Sequence, residues 1–185
     1  MATATHSSTS KSTSERKTAS RSRSRSAKKT TGQKDAIQLL KADHREVERL
    51  FRDFQKAAGD ERKMQLAGKI CTAFMVHAQI EEELVYPTSR DFLKDDEIVN
   101  EAVVEHHAAK DLVEQIRGMR ASDEMFDARM QVLQEQIEHH VKEEETEYFP
   151  RLQKSDMDLK SIGREFTARK KELMAQAEGG GMEMH

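Results

Sequence analysis

A chain of 185 residues accommodates one domain and its tails, and a mean hydropathy of −0.85 with 36% apolar residues is too low for all of it to be packed. The net charge of −3 hides an asymmetry: residues 1–34 hold nine Lys+Arg against Glu15, a net of +8, which leaves −11 on the remainder. No run of about 18 apolar residues exists to span a membrane and no signal-peptide core supports secretion. Cys71 has no second cysteine to pair with, so a reducing cytosol, and hence a cytoplasmic protein, is expected.

Residues 1–34 are Ser, Thr, Lys and Arg with almost nothing apolar, so they cannot bury a core and are expected to be disordered. Arg21, Arg23 and Arg25 alternate with serine and offer phosphate contacts. No aromatic residue is interleaved for base stacking. This arm therefore predicts weak, non-specific contact with nucleic acid or another anion, or simply a solubilising tail.

From Asp35 onward the pattern is helical. A first helix is predicted over 35–57, capped by Asp35, with Ile37, Leu40, His44, Val47, Phe51 and Phe54 in one stripe. Gly59-Asp60 reads as a stop and restart. A second helix is predicted over 61–86, its seam running Ala67, Ile70, Phe74, His77, Glu81, Leu84. Cys71 beside Ile70 reads as a buried small hydrophobe. A polar connection is expected at 88–95, after Pro87. A third helix over 96–119 carries Val99, Ala102, His106, Ala109, Val113 and Ile116 on its seam. A fourth over 123–148 carries Phe126, Met130, Leu133, Ile137, His140, Glu144 and Tyr148. A weaker fifth, over 157–176, is expected to flank the others, and residues 179–185 to be loose.

Two stretches share one grammar. His77-x-x-x-Glu81-Glu82 closes on Tyr86-Pro87, and His140-x-x-x-Glu144-Glu145 closes on Phe149-Pro150; these are the only two prolines. Residues four apart share a helix face, so each copy aims an imidazole and a carboxylate at one point. Both pairs continue the apolar stripe. An unpartnered polar group there costs roughly 2–7 kcal/mol, and a cation would compensate both side chains together. His44 and His106 also correspond: each follows an acid, Asp43 or Glu105, and each lies on its seam. The spacings 44–106 and 77–140 are 62 and 63 positions, so a helix-loop-helix unit is repeated.

The expected fold is all-α: an up-down antiparallel four-helix bundle over 35–152, a flanking helix over 153–178, a flexible end over 179–185 and the disordered basic tail. The candidate metal ligands are His44, His77, Glu81, His106, His140 and Glu144, a donor set suited to transition metals such as iron, with manganese or zinc also admitted. His107 and His139 lie off the seams. Glu82, Glu83, Glu143, Glu145 and Glu147 read as solvated faces or as partners for the imidazole N–H groups. Tyr148 reads as core or rim, or as a redox or proton group beside Glu144.

This constellation resembles the haemerythrin-like family of HHE cation-binding domains over residues 35–152, on Asp43-His44, His77-x-x-x-Glu81-Glu82 with Tyr86-Pro87, Glu105-His106, and His140-x-x-x-Glu144-Glu145 with Phe149-Pro150. The resemblance implies a non-haem di-iron centre with four histidine ligands at those positions, bridging carboxylates at Glu81 and Glu144, and small diatomic or peroxidic ligands. The oxygen carriers of the family have a second histidine four after His106, where this chain has Lys110. They use His-x-x-x-x-Asp on the fourth helix, a frame in which His139, five before Glu144, is the alternative to His140. The function expected is binding or sensing of O2, NO or peroxide, or iron handling. The alternatives are a di-iron enzyme (peroxide disproportionation, ferrous oxidation or NO reduction) and an interaction protein with a structural metal and a basic anion-binding arm.

Overall fold

The computed structural model describes residues 32, 34–93 and 96–179. The basic tail expected over 1–34, apart from Gly32 and Lys34, lies outside the described residues, as do 180–185.

The described residues are all-helical, with no strand among them. Helix α1 spans Ala36–Gln55. Asp35 accepts the Gln38 backbone N–H at 2.9 Å while the Gln38 side chain accepts that of Asp35 at 3.2 Å. This reciprocal box satisfies two otherwise orphaned donors and stabilises the start by about 1 kcal/mol. Gly59, at φ 82°, makes the bend into α2, Asp60–Ile80. That region is strained for any residue with a Cβ.

Helix α2 does not stop at the first proline. A π-helical turn, Glu81–Val85, leads into α3, Tyr86–Leu93, so the polar connection expected over 88–95 is largely helix. The same happens in the second half, where α5 (Phe126–Glu143) passes through a π turn at Glu144–Tyr148 into α6, Phe149–Lys154. Proline has no N–H, and in a regular helix its ring strikes the carbonyl four residues back. The wider turn accommodates it: Tyr86 N–H reaches Glu81 O, and Phe149 N–H reaches Glu144 O. Between these rods lies α4, Glu97–Arg117. Helix α5 begins three residues later than expected, because the Asp123 side chain accepts the Arg120 N–H and holds a turn there. Helix α7 spans Leu159–Gly179.

Helix α1 packs on α2 and α4 on α5, with α2 against α4 and α1 against α5, while α7 lies on α1 and α2. The apolar interior falls into two clusters. One contains Val47, Phe74, Ala109 and Ile137. The other contains Leu40, Val85, Ala102 and Tyr148. On each rod the histidine stands between a member of one cluster and a member of the other. The four helices thus carry a polar layer across a core that is otherwise apolar.

Candidate metal centre

All six side chains singled out from the sequence lie in that layer, none more than 7% exposed. His44 comes from α1, His77 from α2, His106 from α4 and His140 from α5, while Glu81 and Glu144 are the first residues of the two π turns. The ligand atoms form two groups, His44/His77/Glu144 and Glu81/His106/His140, each within 4.8 Å of one another. The carboxylates tie the groups together. Glu81 Oε2 is 3.0 Å from His77 Nε2 and 3.5 Å from His106 Nε2. Glu144 Oε2 is 3.2 Å from His44 Nε2 and 3.6 Å from His140 Nε2. Each carboxylate therefore faces one imidazole from each group.

The imidazoles are held from behind. His44 Nδ1 meets Glu145 Oε1 at 2.9 Å, His106 Nδ1 meets Glu82 Oε1 at 2.9 Å, and His140 Nδ1 meets Glu105 Oε2 at 2.8 Å. An ionised carboxylate cannot donate, so Nδ1 carries a proton and Nε2 is the nitrogen turned inward, the one left to meet a metal. The backing carboxylates are themselves fixed. Arg45 grips Glu145 at 2.6 and 2.7 Å, and Lys110 grips Glu82 at 2.6 and 2.7 Å. The internal repeat relates His44–Glu145 to His106–Glu82 and would relate His140–Glu105 to His77–Asp43. It is broken at His77, whose Nδ1 is 3.8 Å from Asp43 and has no hydrogen bond, because Asp43 is held by Lys170 of α7 at 2.5 Å.

Inside the layer, hydrogen bonding is incomplete. His44 Nε2, His77 Nε2, Glu81 Oε1 and Glu144 Oε2 are buried without a hydrogen-bond partner. Such atoms cost free energy unless something compensates them, and imidazole nitrogen with carboxylate oxygen is a transition-metal donor set. The residues present fit a pair of cations.

Without a cation, protons on His77 and His140 bring positive charge into the layer. Burial opposes a charged His77, yet Glu81, with Asp43 and Glu144, outweighs it and holds the imidazole well above the usual histidine range. Burial also opposes charge on His140, and Glu144 and Glu105 likewise raise it. His106 goes the other way, pushed down to about 4 by burial, with the neighbouring His140 and His77 adding repulsion. For Glu81 burial again opposes the charge, and His77 more than offsets it, keeping the carboxylate ionised.

The π turns bring a group that the sequence reading passed over. An extra residue in the turn places positions five apart on one face, so Tyr86 comes round beside Glu81. Its hydroxyl is 3.4 Å from Glu81 Oε2, 3.2 Å from Glu144 Oε1 and 3.5 Å from His106 Nε2. Burial and the two carboxylates keep it a phenol. Phe149 is its counterpart in the repeat and stacks on His44 with ring centres 5.7 Å apart, but brings no hydroxyl. Tyr148, the tyrosine weighed from sequence, donates to Ser89 Oγ at 2.8 Å, with its ring in the apolar cluster. Only a regular helix would set Tyr148 beside Glu144; the second proline was the available sign that the turn is not regular.

His107 and His139 are exposed, and so stand outside the layer, as their off-seam positions indicated. His139 does meet Glu105 and Glu143 near the surface, at 3.4 and 3.3 Å. Cys71 is buried, and burial pushes its thiol up to about 11, consistent with an inert core residue.

Three similarities to known proteins bear on this geometry. A curated relative, the DNA nickase of Nostoc sp., is 28% identical over 150 residues, which is 78% of this chain but only 42% of that protein. The chain thus spans less than half the length of the relative. A crystal structure of a hemerythrin HHE cation binding domain-containing protein from Mycobacterium kansasii superposes with a TM-score of 0.70 at 21% identity, covering 80% of this chain and 92% of that one, and shows the same fold. The family pattern of the Hemerythrin HHE cation binding domain matches residues 35–152, the span that supplies all four histidines and both carboxylates, and the chain belongs to that family.

Proposed function

We propose that this protein holds two metal ions, iron foremost, and uses them to bind or sense O2, NO or peroxide, or to handle iron. His44, His77 and Glu144 would hold one ion and His106, His140 and Glu81 the other. The observation that carries this reading is the placement of Glu81 and Glu144, each facing an imidazole from both groups. A bridging carboxylate needs that position. On this reading residues 35–152 form an up-down antiparallel four-helix bundle of a cytoplasmic protein, flanked by 153–178.

Bound, such ions would supply Lewis acidity and one-electron chemistry. The chain's own residues prepare the site. Glu145, Glu82 and Glu105 orient three imidazoles so that Nδ1–H faces outward and Nε2 faces the centre. Apolar clusters lie on either side of the layer. Tyr86 holds a proton on Oη between the carboxylates. The test is anaerobic ferrous loading of the purified full chain, with metal analysis and absorption spectra before and after O2, NO or peroxide. Two metals per chain and a ligand-dependent band are expected; a loaded protein with no response to any of the three would overturn the reading.

The Tyr86 phenol favours a second reading, a di-iron enzyme acting on peroxide, ferrous iron or NO, because a proton donor stands between the two carboxylates. Turnover above that of free iron distinguishes it. A third reading joins the basic residues 1–34 to the relative named as a DNA nickase, with contact to nucleic acid through that arm and the metal structural. It predicts salt-dependent DNA binding that disappears on deleting 1–34.

A further inference from the structure

Four acids stand behind the four imidazoles, and three of them reach. Glu145, Glu82 and Glu105 meet Nδ1 of His44, His106 and His140 at 2.9, 2.9 and 2.8 Å. Asp43 stands behind His77, and its Oδ2 stops 3.8 Å from Nδ1. That nitrogen is buried and has no hydrogen-bond partner.

Two features keep Asp43 short of it. Its side chain has one methylene fewer than that of Glu105, its counterpart in the repeat. Its other oxygen, Oδ1, is drawn to Lys170 Nζ at 2.5 Å. A cation on the acid is not by itself the obstacle, since Glu145 and Glu82 carry Arg45 and Lys110 and still reach their imidazoles. Those cations belong to the same helices as the imidazoles, α1 and α4. Lys170 belongs to α7 and draws its acid toward a different helix. The neighbouring Arg169 pins α7 there, holding Glu83 of the first π turn at 2.6 and 2.9 Å. Helix α7 lies outside residues 35–152, the span of the family pattern.

An imidazole with no acceptor behind it has neither its ring plane nor its tautomer fixed, and losing such a partner costs a metal site roughly 10–100-fold in affinity. His77 belongs to one ligand group, whereas His106 and His140, both backed, supply the imidazoles of the other. We infer that the two metal positions are unequal: the ion on His44, His77 and Glu144 is the weaker and leaves first, and Lys170 is the positioning residue that sets the difference by holding Asp43 off His77. This rests on the two-metal reading given above.

The full chain loaded with Co2+ and transferred to excess EDTA tests it, through loss of the visible absorption of the bound ions. Two phases of one metal each are expected, with rates separated by roughly tenfold or more. Asp43→Glu supplies the missing methylene and should slow the fast phase toward the slow one. Lys170→Met keeps the stem, removes the charge and should do the same by freeing Asp43; Lys170→Arg, which keeps the charge, should leave both phases as they are. A residue that merely braced the fold would quicken release when removed, so slower release from Lys170→Met is the distinguishing sign. Lys170 is partly exposed, so this variant keeps the test decisive if Asp43→Glu does not fold. Glu105→Gln should quicken the slow phase, which assigns it to His106 and His140. Two metals leaving in a single phase, a fast phase unmoved or quickened in Lys170→Met, or a slow phase indifferent to Glu105→Gln would each overturn the inference alone. A loaded chain holding fewer than two metals would overturn the two-metal reading, and this inference with it.

Discussion

His106 and His140 face each other nitrogen to nitrogen, Nε2 to Nε2, at 3.1 Å, each backed on Nδ1 by a carboxylate from a neighbouring helix. With both outer nitrogens protonated, two lone pairs meet at the centre, an arrangement that repels unless a proton or a cation intervenes. This contact makes the choice between adjacent histidines measurable. His140→Ala should lower metal content from two ions per chain to one or fewer, while His139→Ala, at a side chain 61% exposed, should leave it unchanged. Glu105→Gln, which removes the backing charge from His140, should weaken metal binding by roughly 10–100-fold. Elemental analysis of dialysed protein reads all three; equal loss from the His139 and His140 variants would sink the assignment.

The histidines also set a pH dependence that changes sign with metal. His77 and His140 have raised values in the folded chain, so their ion pairs contribute stability that is full below 6.5 and is lost as pH rises through the folded values. His106, lowered from 6.5 to about 4, removes stability as pH falls across that interval. Asp43, Glu81 and Glu82 are lowered carboxylates, Glu82 to about 2 through burial offset by His106 and Lys110, and their contribution disappears as pH falls through the folded values. The chelator-stripped chain should therefore be most stable near pH 6.5. Metal must displace the protons on His77 and His140, so the gain in melting temperature on loading should widen from pH 6 to pH 8. A gain that narrows over that range would contradict the ligand set.

The parts of this centre that follow a 3.6-residue period were legible. His44, His106 and both His-x-x-x-Glu pairs continue apolar stripes, and burial brought them together; Asp35 caps α1 as its position indicated. The parts that depend on a departure from that period were not. Tyr86 reaches Glu81 through a five-residue spacing that exists only inside a π turn. Helix α3 continues past Pro87 for the same reason. Lys170 sits 127 positions from Asp43, and no local pattern announces that pairing.

The Tyr86 hydroxyl has no match at Phe149, its counterpart across the repeat. Tyr86→Phe keeps the ring against His106, where the centroids are 5.6 Å apart, and removes only the hydroxyl. Two metals per chain should be retained, because Glu81 still faces His77 and His106 and Glu144 still faces His44 and His140. The spectrum after peroxide or NO, and the rate at which it develops, should change. Tyr148→Phe, which breaks a bond to Ser89 away from the six ligands, should alter stability by about 1 kcal/mol and leave the spectrum alone. Identical spectra from wild type and Tyr86→Phe would remove Tyr86 from the chemistry.

Helix α7 owes its seat to one missing side chain. A Cβ on Gly163 would stand 2.7 Å from Lys34 O and 3.0 Å from Ala36 N, both backbone atoms at the start of α1. Neither can turn aside as a side-chain tip could. Alanine gains about 1 kcal/mol of helix propensity over glycine, and the clash, typically about 1–3 kcal/mol, opposes it. Because the obstacle is backbone beside the α1 capping box, the clash should win, and Gly163→Ala should lower the melting temperature. Gly179→Ala, with nothing within 4 Å, serves as the control and should be neutral or slightly stabilising. An unchanged melting temperature would mean that α7 is not held at this contact.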